Sequence, residues 1–220
     1  MPVQNLPSYS QGLEELRSNL ANMLPAESLQ VFDEDATQLR NSFDEILKIQ
    51  VGDNAPDFTL SNAIGDSVNL KDRLKSNKVV LVFYRGTWCP YCNLALSQYQ
   101  SVLNDIKGQG AELIAVSSQT PDESLSIKDK NHLEFEVLSD NGNLVAQLYT
   151  TVFRNGEAPL NEMTKLGFDY DSFYGNDSKE IPVPAVFVIG QDGKVTFAKT
   201  EGGDYRNRTE SSEILNFLKA

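Results

Sequence analysis

The chain is poor in the residues that bind soft metals or staple a secreted fold. Its 220 residues include two cysteines, Cys89 and Cys92, and a single histidine, His132. Cysteines set as one close pair, not spread as staples, fit a reducing compartment where disulfides are catalytic and transient, so the expectation is a cytoplasmic protein. C-x-x-C is also half of many zinc sites, yet four soft ligands cannot be assembled here without borrowing carboxylates. Cations are scarce too: 19 Lys and Arg against 31 Asp and Glu leave a formal net charge of −12. That balance argues against unaided binding to nucleic acid or an anionic membrane, since phosphate contacts need clustered Lys and Arg. No apolar run approaches the ~20 residues of a membrane span, and residues 1–30 lack the basic start and apolar core of a leader.

What is present is an ordinary globular composition, 40% hydrophobic and 23% charged, enough for one compact domain with an extension. Its centre is Val79-Val80-Leu81-Val82-Phe83-Tyr84-Arg85-Gly86-Thr87-Trp88-Cys89-Pro90-Tyr91-Cys92. The unbroken β-branched run reads as a strand buried on both faces. Pro90 suits a first helical position, and apolar residues from Leu94 to Leu103 recur at helical spacing. Cys89 therefore sits where a strand hands over to a helix. There, unpaired N–H groups and partial positive charge favour a thiolate, with pKa values of ~3.5–7.5 against ~8.5 for a free cysteine. Cys92, one turn on, lies within disulfide reach. Two buried cysteines are also commonly plain core residues.

The Trp88-Cys89-Pro90-Tyr91-Cys92 segment and the late Ile181-Pro182-Val183-Pro184-Ala185-Val186-Phe187-Val188-Ile189 resemble the thioredoxin-fold superfamily. More narrowly, the chain resembles the peroxiredoxin-like branch of the alkyl hydroperoxide reductase and thiol-specific antioxidant (AhpC/TSA) family. Gly52 to Phe58, Tyr84-Arg85-Gly86, Leu138-Ser139-Asp140 and Asp204-Tyr205-Arg206 carry the likeness across about residues 50–220. The resemblance implies an α/β, thioredoxin-like fold and a thiol peroxidase with no metal or organic cofactor. Cys89 would attack hydrogen peroxide or an organic hydroperoxide, Cys92 would resolve the sulfenic acid, and thioredoxin or a glutaredoxin-like donor would recycle the disulfide. Thr87 and Arg85 are candidates to meet charge on the leaving oxygen. Trp88 is expected to be a packing platform beside the sulfur, and Trp88, Pro90, Val183, Pro184 and Arg208 are the expected substrate-binding residues.

The chain departs at telling places from the pattern of the family it resembles. Val82 stands where relatives carry a proline seven residues before the attacking cysteine, and Gly86 where they carry threonine or serine. Pro184 replaces a frequent arginine, as in thioredoxins, which makes Val183-Pro184 a candidate cis bond and keeps thiol–disulfide exchange on protein disulfides as the alternative activity. In that setting the backbone beside the proline is free to pair with substrate. Arg206 and Arg208 are candidates to restore the missing charge, although arginines after a strand ordinarily face solvent. A redox-inert interaction domain is a third reading.

Residues 1–50 read as a helical extension, with Ser10 as the cap of a helix from Leu13 to Leu24 and a second helix from about Ala26 to Leu47. This arm packs back on the domain or across a homodimer interface; sequence leaves both open. From Val51 the domain reads as a hairpin around Gly65-Asp66, a short helix, the central strand and its helix, then a strand at Ala111–Ser117 in a parallel crossover. A helix at Pro121–Asn131, a strand near Phe135 and a helix near Leu144 follow. Residues 150–181 read as an insertion with one short helix near Leu160–Leu166. A hairpin of Ala185–Ile189 with Val195–Ala198 and a helix at Ser211–Leu218 close a mixed sheet with helices on both faces.

Overall fold

The computed structural model describes residues 8–43 and 45–220. The apolar run forms β3 (Lys78–Phe83), buried on both faces as its composition requires. It pairs in parallel with β4 (Ala111–Ser117) and antiparallel with β8 (Ala185–Ile189). Outward lie β5 (Glu136–Ser139), parallel to β4, then β1 (Thr59–Asn62) and β2 (Ser67–Asn69); on the other side β9 (Val195–Lys199) follows β8. The order β2-β1-β5-β4-β3-β8-β9 is the mixed sheet expected from sequence. Alternate β3 side chains feed two apolar layers. Val80 and Val82 join Leu96, Ile106 and Ile214 on one face, while Leu81 and Phe83 join Phe187 and Tyr149 on the other.

The helix after Cys89 is divided into α4 (Pro90–Ser101) and α5 (Leu103–Gly108), with Val102 between them out of helical geometry. The remaining helices of the domain are α3 (Leu70–Leu74), α6 (Pro121–Lys130), α7 (Ala146–Tyr149), α8 (Glu157–Lys165) and α9 (Ser211–Lys219). The insertion holds more order than the decayed sequence pattern showed. Its Val152–Arg154 (β6) pairs with Glu180–Pro182 (β7) in a separate two-stranded sheet, and a 3-10 turn spans Tyr170–Phe173. Strands of three residues have too little alternation to be read locally; their partner lies far along the chain.

The arm consists of α1 (Tyr9–Met23) and α2 (Ala26–Arg40). Ser8, not Ser10, caps α1, because Gln11 closes a reciprocal capping box with it. The second helix stops at Arg40 instead of running to Leu47. Phe43 leaves the helical line to stack on Phe153, with ring centroids 5.5 Å apart, and Leu47 bridges to Thr150. Asp44 lies outside the described residues.

Both helices pack on the chain's own domain through the segment before α9. The Tyr9 N–H donates to Glu210 Oε2 at 2.6 Å, and the Tyr9 hydroxyl donates to the Arg206 carbonyl at 2.8 Å. Arg206 pairs with Asp33 at 2.6 Å, and Arg40 with Asp204 at 2.6 Å. Burial would push the Asp204 carboxyl up, but hydrogen bonds from Arg206 and Arg40 overcome this and hold it at about 2. Gly203 touches α2 so closely that an added Cβ would fall against the Leu39 carbonyl. Gly203→Ala is expected to cost about 1–3 kcal/mol, the usual price of overpacking, and to lower the thermal midpoint by ~2–4 °C per kcal/mol. Calorimetry checks this, and an unchanged midpoint would remove the close approach from the account.

Candidate active site

Tyr84 N–H still pairs with the Val116 carbonyl at 3.1 Å, after which the chain turns out of the sheet. Cys89 is the N-cap residue of α4, in extended conformation, with Pro90 at the first helical position. Its carbonyl accepts from the Cys92 and Asn93 N–H groups, both at 3.1 Å, which sets Cys92 one turn along. The Asn93 side chain ties the loop to the helix by donating to the carbonyls of Thr87 at 2.7 Å and Cys89 at 2.9 Å. Both cysteines are free and buried.

The segment before α9 brings Arg208 to them. Its Nη2 lies 3.2 Å from Cys92 Sγ and 4.0 Å from Cys89 Sγ. Its Nη1 donates to the carbonyls of Tyr205 and Asn207, so the guanidinium is fixed from behind. Arg208 is buried, contrary to the ordinary surface place of such an arginine, whereas Arg206 turns away to Asp204 and Asp33.

This geometry divides the two sulfurs electrostatically. Burial pushes the Cys89 thiol well up, and its hydrogen bond to Cys92 adds to the rise. Burial also opposes charge on Cys92, but the hydrogen bond from Cys89, the Arg208 cation and the Arg85 backbone N–H pull that thiol well below the ordinary range. Charge is thus favoured on the Cys92 side of the pair, through the hydrogen bond from Cys89 and the nearer guanidinium, while burial opposes it on Cys89.

Arg85 is buried on the Cys89 side. Its guanidinium carbon lies 3.8 Å over the Tyr205 ring and 4.8 Å from the Trp88 ring centroid, and Nη2 donates to Asn155 Oδ1 at 3.2 Å. Trp88 is a braced platform: its indole N–H donates to the Tyr174 hydroxyl at 2.8 Å, and its ring packs on Tyr170. Thr87 is spent elsewhere. Its N–H donates to Gln119 Oε1 at 2.7 Å, and its hydroxyl faces the same oxygen at 2.9 Å and the Glu123 carbonyl at 3.2 Å. These bonds hold the loop. Gly86 is explained as well, since a Cβ there would lie 2.6 Å from Trp88 Nε1. The indole occupies the space that a threonine or serine would need.

Val183-Pro184 is trans. The Val183 N–H donates to the Thr151 carbonyl at 2.8 Å, and its carbonyl accepts from the Thr150 hydroxyl at 3.0 Å. Both groups are thereby pinned to the insertion, between β7 and β8. Pro184 lies on the Cys92 and Arg208 side of the site. Sequence reasoning missed Asn155, Asn93 and Gln119, common polar residues with no motif to mark them, and gave Tyr205 no role although it lies in the Asp204-Tyr205-Arg206 motif.

On the other side, Cys89, Arg85, Trp88 and Pro90 line a cavity of about 330 Å³. A strand-to-helix C-x-x-C on a mixed sheet of this order, with the second sulfur against a buried arginine, defines a thioredoxin-fold dithiol protein. The AhpC/TSA family model matches residues 51–198. The chain belongs to that family. It is similar to peroxiredoxin Bcp of Escherichia coli K12, 24% identical over 171 residues that cover 78% of this chain and 96% of that one. It is also similar to the thiol-disulfide oxidoreductase ResA of Bacillus cereus, 26% identical over 160 residues covering 72% and 75%. Among solved structures, peroxidoxin BcpB of Mycobacterium tuberculosis shares the fold, with a TM-score of 0.58 at 20% identity over 78% of this chain and 97% of that one. The matched family segment includes neither the arm nor Arg208. Among the described residues no helix is long and apolar enough to cross a membrane.

Proposed function

We propose that the chain is a thiol peroxidase in which Cys89 attacks a hydroperoxide and Cys92 resolves the product. The observation that carries this reading is the division of the pair: Cys89 lines the cavity beside Arg85, while Cys92 faces Arg208. The resting pair shares one proton. For attack, that proton crosses the hydrogen bond from Cys89 to the Cys92 thiolate. The Cys89 thiolate then forms an S–O bond as the O–O bond breaks, and the other oxygen leaves as alkoxide or hydroxide. Arg85 answers the charge growing there. The leaving oxygen takes up a proton, and Cys92, returned to thiolate by Arg208, attacks the Cys89 sulfenic acid. An S–S bond forms and hydroxide departs, to be protonated to water. An external dithiol of the thioredoxin or glutaredoxin kind then reduces the disulfide, in a reducing compartment such as the cytoplasm.

Thiol–disulfide exchange on proteins is the second reading, favoured by the Trp88-to-Cys92 motif and the likeness to ResA. The site geometry weighs against it: Cys89 is buried, and the backbone groups of Val183 that a substrate strand would use are taken by Thr151 and Thr150.

Trp88 is the sole tryptophan and borders Cys89, so its fluorescence reports the first oxidation in stopped flow. Arg85→Leu is expected to slow that step by ~10²–10³-fold, the usual cost of losing one donor to a developing oxyanion. A rate within about twofold of the unsubstituted chain would remove Arg85 from the chemistry.

A further inference from the structure

Arg208 reaches the sulfurs from a stretch that has no regular structure of its own. Residues 200–210 lie between β9 and α9 and belong to neither helix nor strand, so no ladder of backbone bonds fixes the chain that carries the guanidinium. Two buried phenols hold it instead, one on each side of Arg208 in sequence. The Tyr9 hydroxyl, from the arm, donates to the Arg206 carbonyl at 2.8 Å, and the Tyr99 hydroxyl, from α4, donates to the Thr209 carbonyl at 2.8 Å. Tyr99 lies about two helical turns beyond Cys92 on the same face of α4. The start of α1 is tied down around Tyr9. Glu210 accepts from the Tyr9 N–H at 2.6 Å, the Ser10 N–H at 3.2 Å and the Ser10 hydroxyl at 3.0 Å. Gln98 Nε2 donates to the Ser8 carbonyl at 2.8 Å and joins the same point to α4. Further along the arm, Leu24, Leu29 and Phe32 border the cavity over Cys89.

We infer that Tyr9 and Tyr99 are positioning residues for the site: their hydroxyls clamp the carbonyls on either side of Arg208 and so keep Nη2 at 3.2 Å from Cys92 Sγ. Neither phenol touches the reacting atoms, and each acts through Arg208. Without its hydroxyl donor a buried carbonyl is left unpaired, and the stretch must move to satisfy it. Burial pushes both phenols up, against the opposing Arg208 cation, so they stay neutral and able to donate. The other charged and titratable groups around the two sulfurs are Arg85 and the phenols of Tyr84, Tyr91, Tyr170 and Tyr205. Among the described residues, only Arg208 brings a charged side chain within hydrogen-bond range of Cys92. The inference rests on the resolving role given to Cys92 above and adds to it the residues that hold the cation in place. Tyr9 and the stretch it clamps both lie outside the matched family segment, residues 51–198, so the arm is part of the redox centre of this chain.

The test places Tyr9→Phe and Tyr99→Phe, one at a time, in the unsubstituted chain and in Arg208→Met. Each substitution keeps the ring and removes one oxygen. Thiolate absorbance is followed across pH, with thermal midpoints measured beside it. In the unsubstituted chain each variant is expected to raise the first ionisation of the pair by about 0.5–1 unit, part of the ~1–3 units that a nearby cation supplies. In Arg208→Met the same substitutions should leave the titration unmoved, because residues that act through one group do not add. A hydroxyl with a merely structural role lowers the midpoint and leaves the titration where it was; that result in either folded variant overturns the inference. An equal rise with and without Arg208 also overturns it, since the phenols would then act on the sulfurs by another route. If one of the two variants does not fold, the other decides alone. A titration that moves as expected in a chain that consumes no hydroperoxide supports the clamp and removes the peroxidase reading.

Discussion

Cys89→Ser is expected to abolish hydroperoxide turnover, whereas Cys92→Ser should consume one equivalent and then stop. The asymmetry follows from position. Cys89 is the sulfur that lines the cavity, and Cys92 lies one turn deeper against Arg208. Without Cys89, the remaining sulfur faces Arg208 and does not line the cavity, so the loss should reach the uncatalysed limit. Without Cys92, Cys89 also loses the group that takes its proton. Burial has already pushed that thiol up, so the single hit should be slower than in the unsubstituted chain as well as unrepeated. A stopped-flow burst of one equivalent in Cys92→Ser, with none in Cys89→Ser, checks both statements. Equal bursts in the two variants would mean that either sulfur reaches the substrate and would contradict the division of roles.

The second large effect is expected from Arg208→Met. A nearby cation lowers an acid by ~1–3 units, so losing it should raise the first ionisation of the pair by that amount. At a pH below the original ionisation this cuts the Cys92 thiolate by up to ~10–10³-fold, with a smaller loss at higher pH, partly offset because a more basic thiolate is intrinsically more reactive. Formation of the disulfide should slow accordingly, and Arg208→Lys should restore part of the rate.

The same shift makes a statement about stability. The folded-state pKa of Cys92 lies below its unfolded value of ~8.5. Its ionisation therefore adds stability that is complete above ~8.5 and is lost as pH falls through the depressed folded value. Arg208→Met should weaken that dependence, since the hydrogen bond from Cys89 remains. Thiolate absorbance across pH and denaturant midpoints at two pH values measure the two consequences; a titration identical to the unsubstituted chain would take Arg208 out of the site.

The centre of this fold could be read from sequence because its signals are local. The apolar run of β3, Pro90 opening α4 and the Gly65-Asp66 turn each specify their own backbone. What could not be read depends on distant partners. Arg208 looked like a surface residue, and only the return of the segment before α9 over α4 buries it on the sulfurs. Thr87 looked like a donor to substrate, but Gln119, two residues past β4, claims it. The end of α2 at Arg40 went unseen because Phe43 keeps helical spacing while packing on Phe153 across the chain. Pro184 suggested a cis bond by analogy; the insertion instead fixes Val183 from both sides. The helical arm was legible as two amphipathic helices, yet its place over Cys89 was not, since an apolar stripe does not name the surface it covers.

The most direct measurement is a rapid quench of the reduced chain with one equivalent of hydroperoxide, followed by peptide mass mapping. The account predicts a loss of two hydrogens and a bond between Cys89 and Cys92 within one chain, with no oxygen retained. Oxygen left on Cys92, or a disulfide joining two chains while both thiols of each were available to one another, would contradict it.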